Sequence, residues 1–255
     1  MLQVTLLTTL LGLFLLPANL QAQSSDPDPT EILRRVEENA QGSSSASEMV
    51  ITTIRPSWTR EMRMKSWSKG EDLGVILITS PARDKGTAFL KRESEVWNWL
   101  PNIERTVKLP PSMMMQDWMG TDFKNDDLVQ ESSTLKDYTH RYLGEEEASG
   151  RPAWKIEMIP KPDAPVVWGR VVTWVDQEHD VYLRTEFYDE DDWLVNTLSF
   201  SERREFDGHT LPSRMEMVPA DKEGHKTVLE TISIDFDIAL EDRFFSVQSL
   251  KRLRE

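Results

Sequence analysis

Between Thr231 and Ile238 the sequence TISIDFDI sets Ile232, Ile234, Phe236 and Ile238 in strict alternation with Thr231, Ser233, Asp235 and Asp237. Successive side chains of an extended strand point to opposite faces, so this pattern demands a strand with one apolar and one wetted side. The same period recurs along the chain. Met62 and Met64 alternate with Arg63 and Lys65, and Trp154, Ile156 and Met158 with Lys155 and Glu157. Val181, Leu183 and Phe187 in VYLRTEFY and Met215 and Met217 in SRMEM extend the set. Polar, turn-prone breaks such as SKGED, EEEASGRP, DQEHD and ADKEG separate the runs at hairpin spacing. An antiparallel meander with one solvated face follows, because sheets buried on both sides need longer unbroken apolar runs.

One amphipathic helix is expected ahead of the strands. It opens near Thr30, read as N-cap or first helical residue, carries Ile32, Leu33 and Val36 on one stripe, and stops at Gly42. The Met-rich segment PPSMMMQDWMGTDF is a second piece of cover for a broad apolar sheet face. The expected fold is mainly β with few helices. Either the sheet closes as a small barrel filled by its own side chains, or it stays open around an apolar cavity beneath a lid. In the second case the lining comprises Met62, Met64, Trp154, Ile156, Met158, Leu183, Phe187, Met215, Met217, Ile232, Ile234 and Phe236. Met113, Met114, Met115, Trp118 and Met119 form the lid. Methionine is unbranched and polarisable, which suits ligands of variable shape and equally suits gap-filling in an ordinary core. Trp97 and Trp99, two residues apart, share a strand face and line a cavity, form an interface or cap the sheet.

A net charge of −14 gives no field to attract phosphates, which argues against nucleic-acid binding and against basic-patch docking on anionic bilayers. With no cysteine there is no disulfide, thiolate metal site or cysteine nucleophile. Leu6–Leu16, LLTTLLGLFLL, is too short to span a bilayer and reads as the apolar region of a secretory signal, broken by Pro17 and cleaved near Ala22. The expected organisation is a signal peptide at 1–22 and a single exported domain at 23–255 that does not itself span a membrane.

Residues with reactive chemistry form no recognisable set. The four histidines, at 140, 179, 209 and 225, have no partner at metal or triad spacing. Glu178-His179-Asp180 reads as a polar hairpin turn, and the acidic runs at 189–192 and 122–127 lack the spacing and central glycine of a calcium loop. No catalytic residue, metal set or cofactor site is assigned. A lipid-modifying enzyme is the least favoured class.

The segment Asp84–Leu128 carries three motifs in order: Gly86–Leu90 in DKGTAFLKR, Trp97–Pro101 followed by Arg105, and Met119–Phe123. Together they resemble the LolA-like outer-membrane lipoprotein-sorting family. That resemblance implies a periplasmic carrier built on a strongly bent antiparallel sheet, an incomplete barrel with helices over its concave face. Acyl chains of lipids or lipoproteins would bind in the hollow, and a resistance-nodulation-division (RND) inner-membrane exporter is the implied neighbour. Gly120 and Asp122 are read as structural, Asp122 capping the turn after Gly120, with Arg105 pairing with it or with another carboxylate. The other reading is a non-catalytic periplasmic adaptor or sensor that binds a protein partner through its sheet, with Trp97 or Trp99 exposed.

Overall fold

The computed structural model describes residues 26–253 apart from 94, 130–132, 163 and 165. The expected signal peptide and its cleavage point lie outside the described residues. Helix α1 (Pro29–Gln41) begins at Asp28, whose carboxylate accepts from the Thr30 backbone N–H at 2.9 Å, with Pro29 in the first turn. The N-cap is thus Asp28 rather than Thr30: a carboxylate placed just before a proline caps the orphan N–H groups well. The helix ends where expected, at Gly42, whose φ of 58° is easily reached only without a Cβ. Its stripe is buried, with Ile32, Leu33 and Val36 no more than 2% exposed.

Among the described residues a single antiparallel sheet of 13 strands follows. In chain order these are β1 (Ser44–Arg55), β2 (Trp58–Lys69), β3 (Leu73–Ser80), β4 (Ala88–Arg92), β5 (Glu95–Leu100), β6 (Arg105–Leu109), β7 (Tyr138–Ala148), β8 (Arg151–Pro160), β9 (Arg170–Asp176), β10 (Tyr182–Tyr188), β11 (Leu194–Phe206), β12 (His209–Pro219) and β13 (Lys226–Phe236). Two meanders, β1–β6 and β7–β13, join where β1 pairs with β13, so β6 and β7 are the two edges and the sheet does not close. Short helices α2 (Asn125–Val129) and α3 (Thr134–Asp137) lie in the connection between the meanders, and α4 (Val247–Leu250) follows β13.

The sheet is strongly bent. Helix α2 packs on β4, yet its Asp127 carboxylate bonds the Trp168 side chain, in the segment entering β9. Eight strand spacings separate β4 from β9, about 38 Å on a flat sheet, which no five-residue helix could bridge. The two halves therefore face one another across the connection. Lys136, just before β7, likewise meets Glu71 in the β2–β3 turn at 2.6 Å.

Two clusters fill the concave side. One joins Ile51, Met62, Met64, Ile78, Phe89 and Met217 to Met114, Trp118 and Phe123 of the connection. The other sets Ile32, Leu33 and Val36 of α1 against Ile156, Met158, Val171 and Val175. The helix is pinned at its middle by the β9–β10 turn, where Arg35 grips Asp180 through two 2.9 Å bonds. Arg35→Ala is expected to cost about 1 kcal/mol, read as a lowered urea midpoint at unchanged slope.

The opposite face has its own cover. Trp97 and Trp99 pack with Val75, Leu77 and Leu90 under a C-terminal strap that contributes Phe245 and Leu250. They are therefore not an open surface: the strap spends its apolar residues on them, and both indoles are half-buried.

Candidate functional site

The functional region is the concave face beneath residues 111–127. Pro110 and Pro111 break β6 and start a series of tight turns, with single 3-10 turns at Pro111–Met113 and Trp118–Gly120. Met119 (φ 49°) and Gly120 (φ 75°) both sit in the left-handed region, reversing the chain so that Trp118 points into the core. Trp118 is fully buried, with its ring 5.5 Å from that of Phe89. Met114 is 3% exposed whereas Met115 is 60% exposed, so the methionine triplet is split between core and solvent. Met113 and Met119 pack at the cluster margin.

Polar contacts hold this lid from below. The Asp122 carboxylate accepts from Arg55 Nη1 at 2.8 Å and from Thr227 Oγ1 at 2.7 Å, and its backbone N–H donates to the same hydroxyl at 2.9 Å. Arg55 also donates to the Gly120 carbonyl, and Arg60 to that of Met119. Asp122 is thus a buried anchor, and its guanidinium partner is Arg55 at the end of β1, not Arg105. Arg105 is exposed on edge strand β6, paired with Leu100. Only the long-range register of β1 with β13 brings Arg55, Thr227 and Asp122 together. A local signal did exist for Arg60, a cation in phase with the apolar positions Met62 and Met64.

A second anchor is titratable. Asp127 accepts from the Lys124 backbone N–H at 2.7 Å. Burial, helped by the negative charge of neighbouring Asp126, pushes its carboxyl up to about 7 against the Lys124 N–H bond, the Trp168 side chain and the Lys124 ammonium, which lower it. A raised carboxyl binds its proton more tightly in the folded state. Its stabilising effect is complete below about pH 4 and is lost as pH rises to about 7. Amide exchange over 113–127 is therefore expected to accelerate across that window, and Asp127→Asn to flatten the dependence.

The other predicted residues divide by face. Met62, Met64 and Met217 are at most 1% exposed beneath the lid, with Met215 partly buried beside them. Ile156, Met158 and Trp154 lie under α1, where Arg35 stacks over the Trp154 ring at 5.6 Å. Phe187 touches both clusters. Ile234 and Phe236 join a smaller cluster with Val181, Phe206 and Leu211. Two residues leave the face. Ile232 is the extra residue of a β-bulge, since Met49 pairs with Thr231 and Glu48 with Ser233, and it is 52% exposed. The bulge breaks the phase of the very run that reads most regularly in sequence. Leu183 is skipped in the same way between Tyr182 and Arg184, and packs with Val172 and Trp174 on the other side. The hollow is roofed and packed rather than open; a separate surface recess of about 490 Å³ lies by the C-terminal strap, around Leu240, Phe244 and Ser249.

Asp176, Glu178 and His179 bring their ligand-type atoms within 4.8 Å of one another. Arg151 bonds all three, and Arg203 reaches His179 Nδ1 at 3.0 Å and Asp176 at 3.4 Å. Guanidinium donors already claim those atoms, so the turn is an ion-pair network that fixes the β9–β10 hairpin.

This architecture has close structural counterparts. A DUF1329 family protein from Desulfovibrio piger superposes with a TM-score of 0.80 at 26% identity, covering 88% of this chain and 100% of that one. A domain described as outer membrane lipoprotein-sorting, from Vibrio parahaemolyticus, gives 0.79 at 25% identity, over 88% and 98%. A family model described as "uncharacterized protein" matches residues 70–252. The chain belongs to the family of that model, and its fold is LolA-like. A LolA superfamily protein from Nitrosomonas europaea shares the fold, with a TM-score of 0.75 at 23% identity over 87% and 98%. No curated protein matches the sequence. The LolA-like fold accounts for the open, bent sheet and the helices across it. Among the described residues no helix is long and apolar enough to cross a membrane.

Proposed function

We propose that this LolA-like protein is a periplasmic carrier that takes acyl chains of lipids or lipoproteins under its lid and moves them between membranes, or to or from an RND-type exporter. The observation that carries the reading is the construction of the concave face. Its apolar side chains are covered by short turns pinned through a few polar contacts at Asp122 and Asp127, and not by further strands. Such cover can separate from the sheet without unfolding it. Burying about a dozen methylenes yields on the order of 10 kcal/mol before ordering costs, enough for reversible carriage with no chemistry. In the closed state Met114 and Trp118 occupy the space that acyl carbons take when the lid lifts. The role requires no catalytic residue, cofactor or metal.

Native mass spectrometry of protein exported to the periplasm of an expression host tests this. Co-purifying lipid or acylated protein, displaceable by a fluorescent fatty acid, is expected; apo protein that takes up no probe sinks the reading.

A further inference from the structure

Eight of the chain's eleven methionines meet in the one cluster beneath the lid, four buried and four partly buried. The strand register sets three of them side by side. Met49 on β1 is the direct cross-strand partner of Met64 on β2, and Met62 stands two residues from Met64, opposite Ile51. Directly opposed residues share a face with Cβ atoms about 5 Å apart, same-face neighbours along a strand lie about 7 Å apart, and diagonal pairs about 7–8 Å. The β1–β2 ladder runs without a bulge from Ser44 with Lys69 to Arg55 with Trp58, so nothing breaks this phase. Met62 and Met64 are 0% and 1% exposed. Met49 is partly exposed, which leaves a way in from solvent. Sheet faces favour β-branched residues, as Ile51 and Ile78 beside these three show, so shape alone does not account for adjacent thioethers on paired strands. The rest of that face on β1 and β2 is Ser47, Ile51, Thr53, Arg60 and Ser66, with neither carboxylate nor imidazole. Arg60, beyond Met62, is turned to the Met119 carbonyl.

We propose that Met49, Met62 and Met64 form a thioether site for a soft monovalent cation, Cu(I) or Ag(I). Neutral sulfur donors select such ions, whereas a hard or divalent cation buried here has no anionic ligand to offset its lost hydration. Methionine has three rotatable bonds, so side chains rooted within about 8 Å of one another can turn their sulfurs to a common point. Binding is coordination alone, and no electron is transferred. The site does not depend on acyl carriage.

Titration of the full exported chain with silver nitrate, read by native mass spectrometry and calorimetry, tests the site. One tightly held Ag(I) per chain is expected, with only sulfur neighbours in its X-ray absorption spectrum. Met49→Leu, Met62→Leu and Met64→Leu, each close to isosteric, should each weaken binding at least about tenfold and leave the unliganded melting temperature nearly unchanged. Met215, level with Met62 but separated from it by Leu229 and Ile51, serves as the control, and Met215→Leu should change binding less than about twofold. Uniform replacement of methionine by norleucine, which exchanges only sulfur for methylene, should abolish binding. No retained Ag(I), nitrogen or oxygen neighbours in the spectrum, or binding that survives norleucine overturns the site. So do undiminished binding in all three variants, which marks adventitious capture at exposed methionines such as Met115, and an equal loss in Met215→Leu. The fatty-acid assay reads carriage separately: silver binding without acyl uptake overturns the carrier and leaves this site standing, and the reverse overturns the site alone.

Discussion

Asp122→Ala should lower the stability of the protein by about 3–5 kcal/mol, a drop of roughly 10 °C in melting temperature measured by circular dichroism. The carboxylate is buried, with its side chain 4% exposed, and its partner Arg55 only 10% exposed. Removing it strands a guanidinium and the Thr227 hydroxyl in the interior and unhooks the Gly120 turn from β1 and β13. Most of the cost comes from the charge left behind and not from the net worth of the pair. Asp122→Leu combined with Arg55→Met should therefore recover a large part of the loss. A single substitution costing less than about 1 kcal/mol would mean that Arg55 reaches water when Asp122 is absent and that the anchor is weak.

Met114→Ala should move stability and binding in opposite directions. The side chain is 3% exposed and packs in the cluster with Trp118, Met62 and Met217, so truncation should cost about 2–4 kcal/mol. That loss falls on the closed state alone, because an open lid makes no such contact. A larger fraction of molecules is then competent to bind, and the apparent affinity for a fluorescent fatty acid should rise by at least about tenfold. A stability loss with unchanged affinity would make Met114 ordinary core and the lid a fixed part of the fold.

The relation between sequence and structure is clearest strand by strand. Period-two alternation identifies an antiparallel meander with one apolar face, and the buried Met62, Met64, Ile156, Met158 and Met217 stand on the concave side it implies. Alternation is a local property, however, and one inserted residue resets it. Ile232 and Leu183 both fall at bulges, which no pattern of apolar residues announces. The lid anchors were hidden for a different reason. Arg55, Asp122 and Thr227 stand far apart in sequence and meet only because β1 joins the two meanders through β13. Arg105 was the nearer arginine in sequence and lies on an exposed edge in space. The fate of Trp97 and Trp99 depended on the C-terminal strap, whose Phe244, Phe245 and Leu250 carry no alternation to place them.

Photolabelling with a diazirine-bearing palmitate, mapped by peptide mass spectrometry on the folded full chain, puts the central proposal to the most direct trial. Acyl carbons held under the lid should leave adducts on peptides containing Met62 and Met64, Met114 and Trp118, and Met217, and labelling should fall away when unlabelled palmitate competes. Adducts confined to the outer face, at Trp97, Leu183 or the strap residues, would contradict it, as would labelling that excess palmitate does not suppress.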